Sequence, residues 1–66
     1  MQIQLNGKPT TVETGTTISD LLAQLELTGK RVAVEINRQI VPRSQHASHA
    51  VQDNDFVEVV VAVGGG

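Results

Sequence analysis

The group in this sequence that is most capable of a reaction is the α-carboxylate of Gly66, the last of three consecutive glycines. A carboxylate is ionised at neutral pH and resists nucleophilic attack, so it becomes an acyl donor only after another enzyme converts it to a mixed anhydride. Glycine has no β-carbon to obstruct attack at that carbonyl. Gly64 and Gly65 add reach, because extended residues span about 3.3–3.6 Å each. We therefore predict a slim, mobile tail, residues 64–66, that enters the active site of a partner.

The remaining polar candidates form no catalytic or metal-binding pattern. His46 and His49 are spaced as H-x-x-H, but no cysteine or nearby carboxylate completes a zinc set, so we predict surface histidines. Ser44 lies near His46, yet a catalytic triad depends on geometry and not on nearness in sequence. Asp53 and Asp55 flank a turn, where aspartate is favoured for backbone hydrogen bonds. We expect no catalytic residue, no metal site and no cofactor held by the chain itself.

Length and composition limit what else the chain does. Sixty-six residues make one domain, residues 1–66, with an aliphatic core and no room for a walled active site. The net charge of −2, with Phe56 as the only aromatic residue, offers neither a basic footprint nor a stacking platform for nucleic acid. The sequence shows no signal peptide and no apolar run that would span a membrane, so we expect a soluble cytoplasmic protein. Without cysteine, any sulfur that the chain handles must come from a partner.

The first part of the sequence predicts a β-hairpin. Apolar and polar residues alternate over residues 1–5, which is the pattern of a half-buried strand. Asn6-Gly7 is the preferred pair for a two-residue hairpin turn, because both positions need a positive φ. Residues 8–14 then read as a weaker second strand, in which Pro9 lacks an N–H to donate.

An amphipathic helix follows this hairpin. Thr17 and Asp20 have the spacing of a capping box, which predicts the start of the helix. Four residues at helical spacing form its apolar stripe: Ile18, Leu21, Leu22 and Leu25. Thr28-Gly29 is expected to end it.

The remaining sequence predicts three strands joined by turns. The strands are residues 32–36, 39–41 and 56–63, the turns are 37–38 and 53–55, and 44–50 is a polar connection with room for one helical turn. A hairpin, one crossover helix and returning strands predict an α+β fold, a mixed sheet of four to five strands with one main helix on one face. The last strand is the most apolar and β-branched, so we expect it in the centre of the sheet.

The last strand also predicts a docking surface. Val57, Val59 and Val61 are expected to face the helix, which leaves the other face of the strand uncovered because one short helix covers only one side. That outer face carries Phe56, Glu58, Val60 and Ala62. We predict that it binds a partner, with Arg43 and Glu58 supplying polar contacts at the rim. The alternative is the scattered surface apolarity that any protein has.

Several motifs together resemble the sulfur carrier family of thiamine biosynthesis (ThiS), which has the ubiquitin-like β-grasp fold. The resemblance covers the whole chain, and the stretch Val41-Pro42-Arg43 after a short strand is its more specific part. The terminal Gly65-Gly66 is shared with all sulfur carriers and ubiquitin-like proteins. The other matching parts are Asn6-Gly7, residues 32–37, residues 40–45 and the Asp53-x-Asp55 turn.

The resemblance implies a mechanism in which the chain is a protein substrate and not an enzyme. An E1-like adenylyltransferase (ThiF-type) would use ATP to join AMP to the carboxylate of Gly66. Sulfur from a cysteine desulfurase or another donor would then displace AMP and leave a thiocarboxylate. A thiazole synthase (ThiG-type) would take that sulfur while it builds the thiazole of thiamine.

Three other functions stay open at the level of sequence. The small subunit of molybdopterin synthase shares the fold, the tail and the thiocarboxylate, although this chain is shorter than usual there. A protein modifier would instead form amides with lysines of target proteins. A β-grasp interaction module would leave the tail idle.

Overall fold

Five strands, one α-helix and one 3₁₀ turn are formed by residues 1–62, the part of the chain that the computed structural model describes. In chain order they are β1 (Gln2–Leu5), β2 (Lys8–Thr11), α1 (Ile18–Gln24), β3 (Val32–Ile36), β4 (Gln39–Ile40), the 3₁₀ turn (Arg43–Gln45) and β5 (Phe56–Val61). The last strand is shorter than predicted, because β5 ends at Val61 and Ala62 is no longer part of it. Val63 and the glycine tail lie outside the described residues.

The sheet is mixed, and its last strand is its central one. The strand order is β2-β1-β5-β3-β4, in which β5 runs parallel to β1 and antiparallel to β3. Parallel neighbours need a crossover connection, and α1 is part of the connection that runs from β1 to β5. The predicted α+β class, the mixed sheet and the central position of the last strand are confirmed.

Two-residue turns close both hairpins. Asn6 and Gly7 have φ of 50° and 81°, and Asn37 and Arg38 have φ of 52° and 70°. Positive φ at both central positions gives the turn a twist that matches that of the strands it joins. Both turns were predicted. Asn and Gly, the residues of the first turn, are the ones that tolerate this backbone best.

The second strand is shorter than predicted, because β2 ends at Thr11 and not at residue 14. The chain turns away after Val12, where the Thr16 side-chain hydroxyl and backbone N–H both donate to the Glu13 carbonyl at 2.7 and 3.1 Å. Pro9 is tolerated because β2 lies at the edge of the sheet.

The start of α1 has the capping box that the sequence predicts. The backbone N–H of Asp20 donates to Thr17 Oγ1 at 3.1 Å, and the backbone N–H of Thr17 donates to Asp20 Oδ2 at 3.0 Å. Two backbone donors that the helix leaves unpaired are satisfied in this way.

The end of α1 differs from the prediction, because the helix stops at Gln24 and not at Thr28-Gly29. Glu26 takes the left-handed conformation, with φ of 59°. The N–H of Glu26 donates to the Ala23 carbonyl at 3.0 Å, and the N–H of Leu27 donates to the Leu22 carbonyl at 2.8 Å. This is a Schellman motif, and it is closed by a residue other than the usual glycine.

We expect Glu26→Gly to stabilise the domain by about 1 kcal/mol, because a left-handed conformation costs a residue with a β-carbon about that much. Ala23→Gly is the control, since a glycine inside the helix should destabilise the domain by about 1 kcal/mol. Midpoints of urea unfolding measure both. A midpoint for Glu26→Gly at or below that of the parent would contradict the expected strain at this position.

The core lies between α1 and one face of the sheet. Its buried apolar residues from the helix are Ile18, Leu21 and Leu22, and those from the sheet are Ile3, Val34, Ile36, Val57 and Val59; Val12, Val41 and Val51 complete it. Leu25, predicted as part of the apolar stripe, is 39% exposed because the helix has ended before its side chain reaches the core.

Candidate functional site

The two faces of β5 differ as the sequence predicts. Val57 and Val59 are buried against the helix side, whereas Phe56 and Val60 are 62% and 57% exposed on the other side. Val61, expected to face inward, is also exposed, because α1 has seven residues and reaches only about 10 Å along the sheet. We call the uncovered side the open face; it carries Phe56, Glu58, Val60 and Ala62 of the C-terminal segment.

Neighbouring strands extend the open face. Ala33 lies opposite Val60, Glu35 lies opposite Glu58, and Ile40 lies opposite Glu35. Ile40 is 71% exposed, more than any other large apolar residue of the part of the chain that the structure describes. Sequence reasoning missed its contribution, because a two-residue strand has too few positions to show an alternating pattern.

Arg43 lies on a different surface from the rest of the predicted docking residues. It lines a cavity with Leu22 and Lys30 on the helix side, whereas Glu58 lines one with Glu35 on the open face. The structure therefore does not bring Arg43 and Glu58 together as a common polar rim. A partner contact by Arg43 stays a prediction, but on the helix side of the sheet.

Two asparagine side chains fix the central strand from its two sides. Asn6 Oδ1 accepts the backbone N–H of Val59 at 2.7 Å, and Asn37 Oδ1 accepts that of Phe56 at 3.0 Å. The Asn37 amide also donates to Asp55 Oδ1 at 3.0 Å, and the other oxygen of that carboxylate accepts the N–H of Gln52 at 2.8 Å. These bonds position β5, and with it the outward side chains of the open face.

The role of Asp53 and Asp55 agrees with the turn that the sequence predicts. Asp53 Oδ1 accepts the backbone N–H of Gln2 at 2.9 Å, and Asp55 is buried with hydrogen bonds to both of its oxygens. Each carboxylate binds backbone or amide donors, which is a structural role. The sequence showed the turn but not the Asn37 bond, because the partners lie 18 residues apart.

We expect Asn37→Gly to destabilise the domain by about 1–3 kcal/mol, because it leaves Asp55 Oδ1 and the Phe56 N–H without their protein partner. Glycine keeps the positive φ, so the change isolates the lost amide. Asn54→Gly, at an exposed turn position with φ of 70°, is the matched control and should stay within about 0.5 kcal/mol. Equal urea midpoints for the two variants would show that the Asn37 amide contributes nothing.

The prediction that His46 lies on the surface is wrong. Its side chain is 5% exposed, and Nε2 lies 3.0 Å from the carbonyl oxygen of Val41. A carbonyl only accepts, so Nε2 is the protonated nitrogen and donates. The backbone carbonyls of His46 and His49 accept the N–H groups of Ser19 and Ile18, each at 3.0 Å, which fastens this segment to the start of α1. Long-range packing of this kind leaves no periodic signal in a loop sequence.

Within residues 1–62 there is no group of three or more His, Cys, Asp or Glu side chains arranged to hold a metal ion. No helix in the same range is long and apolar enough to cross a membrane.

The described chain leaves the sheet at the end of its central strand. Val61 lies opposite Val32, and the N–H of Ala62 donates to the carbonyl of Arg31 at 2.9 Å. The predicted acyl terminus on Gly66, and its extension by Gly64 and Gly65, lie outside the described residues. In the sequence the three glycines follow β5 after two residues, Ala62 and Val63.

Comparison with known proteins gives a family match and close relatives. The model of the ThiS family matches residues 3–66. The chain is 41% identical to the sulfur carrier protein ThiS of Escherichia coli (strain K12), over the full length of both. It is 42% identical to a region of a thiazole synthase of Magnetococcus marinus, and it spans only 20% of that protein's length.

A solved structure has the same fold. The crystal structure of the thiamine biosynthesis protein ThiS from Geobacter metallireducens superposes with a TM-score of 0.79 at 33% identity, and the match covers all of both chains.

Proposed function

This chain belongs to the ThiS family, and from that membership we propose that it carries sulfur as a thiocarboxylate on Gly66 for the synthesis of the thiazole of thiamine. The observation that carries the proposal is the family match over residues 3–66, which includes the final glycines. The fold supports it, because the strand that precedes those glycines is the central one and is held on both sides.

The chemistry needs two steps, of which the first activates the Gly66 carboxylate and the second replaces one of its oxygens. The Gly66 carboxylate attacks the α-phosphorus of ATP, pyrophosphate leaves, and an acyl adenylate forms. Hydrosulfide then attacks the acyl carbon, AMP leaves with its electron pair, and a proton is released. Where a cysteine desulfurase supplies the sulfur as an enzyme persulfide, the attack gives an acyl disulfide, and a thiol reduces it to the thiocarboxylate while a disulfide forms. The absence of cysteine from the sequence supports a sulfur that is carried on the terminus and not on a side chain.

Partner enzymes supply the catalytic groups and bind the ATP. We propose an E1-like adenylyltransferase for the first step and a thiazole synthase as acceptor of the sulfur. The thiazole synthase of Magnetococcus marinus supports the second partner, because a region similar to this chain is part of that protein. The chain itself acts as a protein substrate.

The open face is the surface that we propose for docking. Phe56 and Val60 expose their apolar side chains beside Glu58, and the strand that carries them leads within a few residues to Gly66. A partner that covers this face would hold the terminus at a fixed distance from its own active site, which favours the reaction by positioning.

Exchange of labelled pyrophosphate into ATP tests the proposal. A purified ThiF-type adenylyltransferase with Mg-ATP should show exchange that depends on added chain, because adenylation of a carboxylate is reversible. Chain from which residues 64–66 have been removed is the control and should give only the background rate. Equal exchange with and without the intact chain would contradict the proposed function.

A further inference from the structure

Two glutamates lie directly opposite each other on the open face. Glu35 of β3 pairs with Glu58 of β5. The Asn37 N–H donates to the Phe56 carbonyl at one end of this pair of strands, and the Ala62 N–H donates to the Arg31 carbonyl at the other. Such bonds recur at every second residue pair, so the two glutamates form a hydrogen-bonded pair with Cα atoms about 5.5 Å apart.

This pairing is unfavourable for the domain itself. Like charges directly opposite on one face of an antiparallel pair repel each other and destabilise the sheet. Nothing in the backbone requires acids here, because either position accepts a neutral residue at no cost in register. A repulsive pair on an uncovered face indicates that the two glutamates act in contact with another molecule.

The surroundings of the pair fit a positively charged side chain. Glu35, Glu58 and the exposed ring of Phe56 line one cavity of about 420 Å³, with Asn37 and Arg38 at its side. An aromatic ring attracts a cation to its face, and two carboxylates offer acceptors for a planar guanidinium. Val60 and Ile40 add exposed apolar surface on either side of the acids.

We propose that this cavity, which we call the acidic cleft, binds an arginine or lysine side chain of the partner that docks on the open face. The proposal rests on the proposed function, since it specifies the chemistry of the enzyme surface that the carrier meets. Arginine suits the cleft better, because its guanidinium stacks on an aromatic ring while it bonds a carboxylate with two donors. The partner surface is therefore basic at its centre and apolar around it.

Arg38 is a cationic residue of this chain that itself lies beside the acidic cleft. It occupies the tip of the β3–β4 hairpin and lines the same cavity, so it offsets part of the repulsion in the free domain. A partner's arginine must compete with it. We therefore expect Arg38→Gln to strengthen partner binding, whereas a partner that contacts Arg38 itself would bind this variant more weakly.

The decisive test combines stability and binding in the same variants. Glu58→Gln and Glu35→Gln should each raise the urea midpoint, because the repulsion is removed, and each should weaken binding to a purified ThiF-type adenylyltransferase about tenfold at low salt. Glu58→Lys should raise the midpoint further and weaken binding by about a hundredfold or more. Glu13→Gln, an exposed acid in the turn before α1, makes the same change in net charge and should alter neither quantity.

Separate readouts distinguish the cleft from the proposed function. Binding is followed by calorimetry, and adenylation is followed as the rate at saturating enzyme, where neutral variants should reach the parent rate because only docking has been weakened. Binding of Glu35→Gln and Glu58→Gln equal to that of the parent would overturn the acidic cleft and leave the sulfur-carrier function standing. Parent chain that binds the enzyme but is never adenylated would overturn the function instead.

Discussion

Removal of Gly66 should reduce thiocarboxylate formation by at least about a hundredfold, because a misplacement of about 1 Å at a reacting centre already costs that much. The shortened chain still ends in a glycine carboxylate, that of Gly65, but this group lies about 3.3–3.6 Å short of the position that the adenylyltransferase serves. The measurement is the intact mass of the chain after reaction with enzyme, Mg-ATP and sulfide.

Two controls define what this loss means. The urea midpoint should stay that of the parent, since Gly66 lies beyond every strand and helix that residues 1–62 form. Gly66→Ala keeps the length and the carboxylate but adds a β-carbon at the reacting residue, so it should react more slowly than the parent and faster than the shortened chain. A shortened chain that reacts at the parent rate would refute the role of Gly66.

Aspartate at two adjacent positions of β5 should have different effects, one on folding and the other on partner binding. Val59→Asp should unfold the domain, because burying a carboxylate without a partner costs several kcal/mol and a chain of this length has roughly 3–10 kcal/mol of stability. Val60→Asp should stay folded, since its side chain is 57% exposed, and should weaken binding to the adenylyltransferase by about 10–100-fold. Circular dichroism and calorimetry measure the two effects.

A third variant separates charge from apolar contact at this position. The asparagine side chain in Val60→Asn has nearly the shape of the aspartate in Val60→Asp but carries no charge. A similar loss of binding in both variants would therefore assign the effect to the lost apolar surface. If both Val60 variants bound the enzyme with the affinity of the parent, Val60 at the centre of the open face would not belong to the docking surface.

Short-range patterns allowed most of the fold to be predicted. The alternation in β1 and β5, the Asn6-Gly7 turn and the Thr17 capping box each depend on residues within a few positions of one another. The central place of β5 followed from its apolar and β-branched composition, which is typical of the buried strands of a sheet. The outward side chains of β5 were predicted because alternate residues of a strand face opposite sides and one short helix covers only one of them.

Features that depend on contacts distant in sequence, or on a backbone conformation that the residue type disfavours, were not predicted. The helix ends at a Schellman motif with Glu26 in the left-handed conformation, which its sequence does not favour. His46 is buried because its loop packs on the start of α1 and its ring meets the Val41 carbonyl. The facing of Glu35 and Glu58 needs the strand register, which the sequence alone does not fix.

The most direct test of a sulfur carrier is the mass of the chain as cells make it. Chain purified without reducing agents from cells starved of thiamine should contain a fraction heavier by the exchange of one oxygen for one sulfur. Fragmentation should place that sulfur on the peptide that ends in Gly66. An unchanged mass under starvation, or recovery of the chain in amide linkage to lysines of other proteins, would contradict the account.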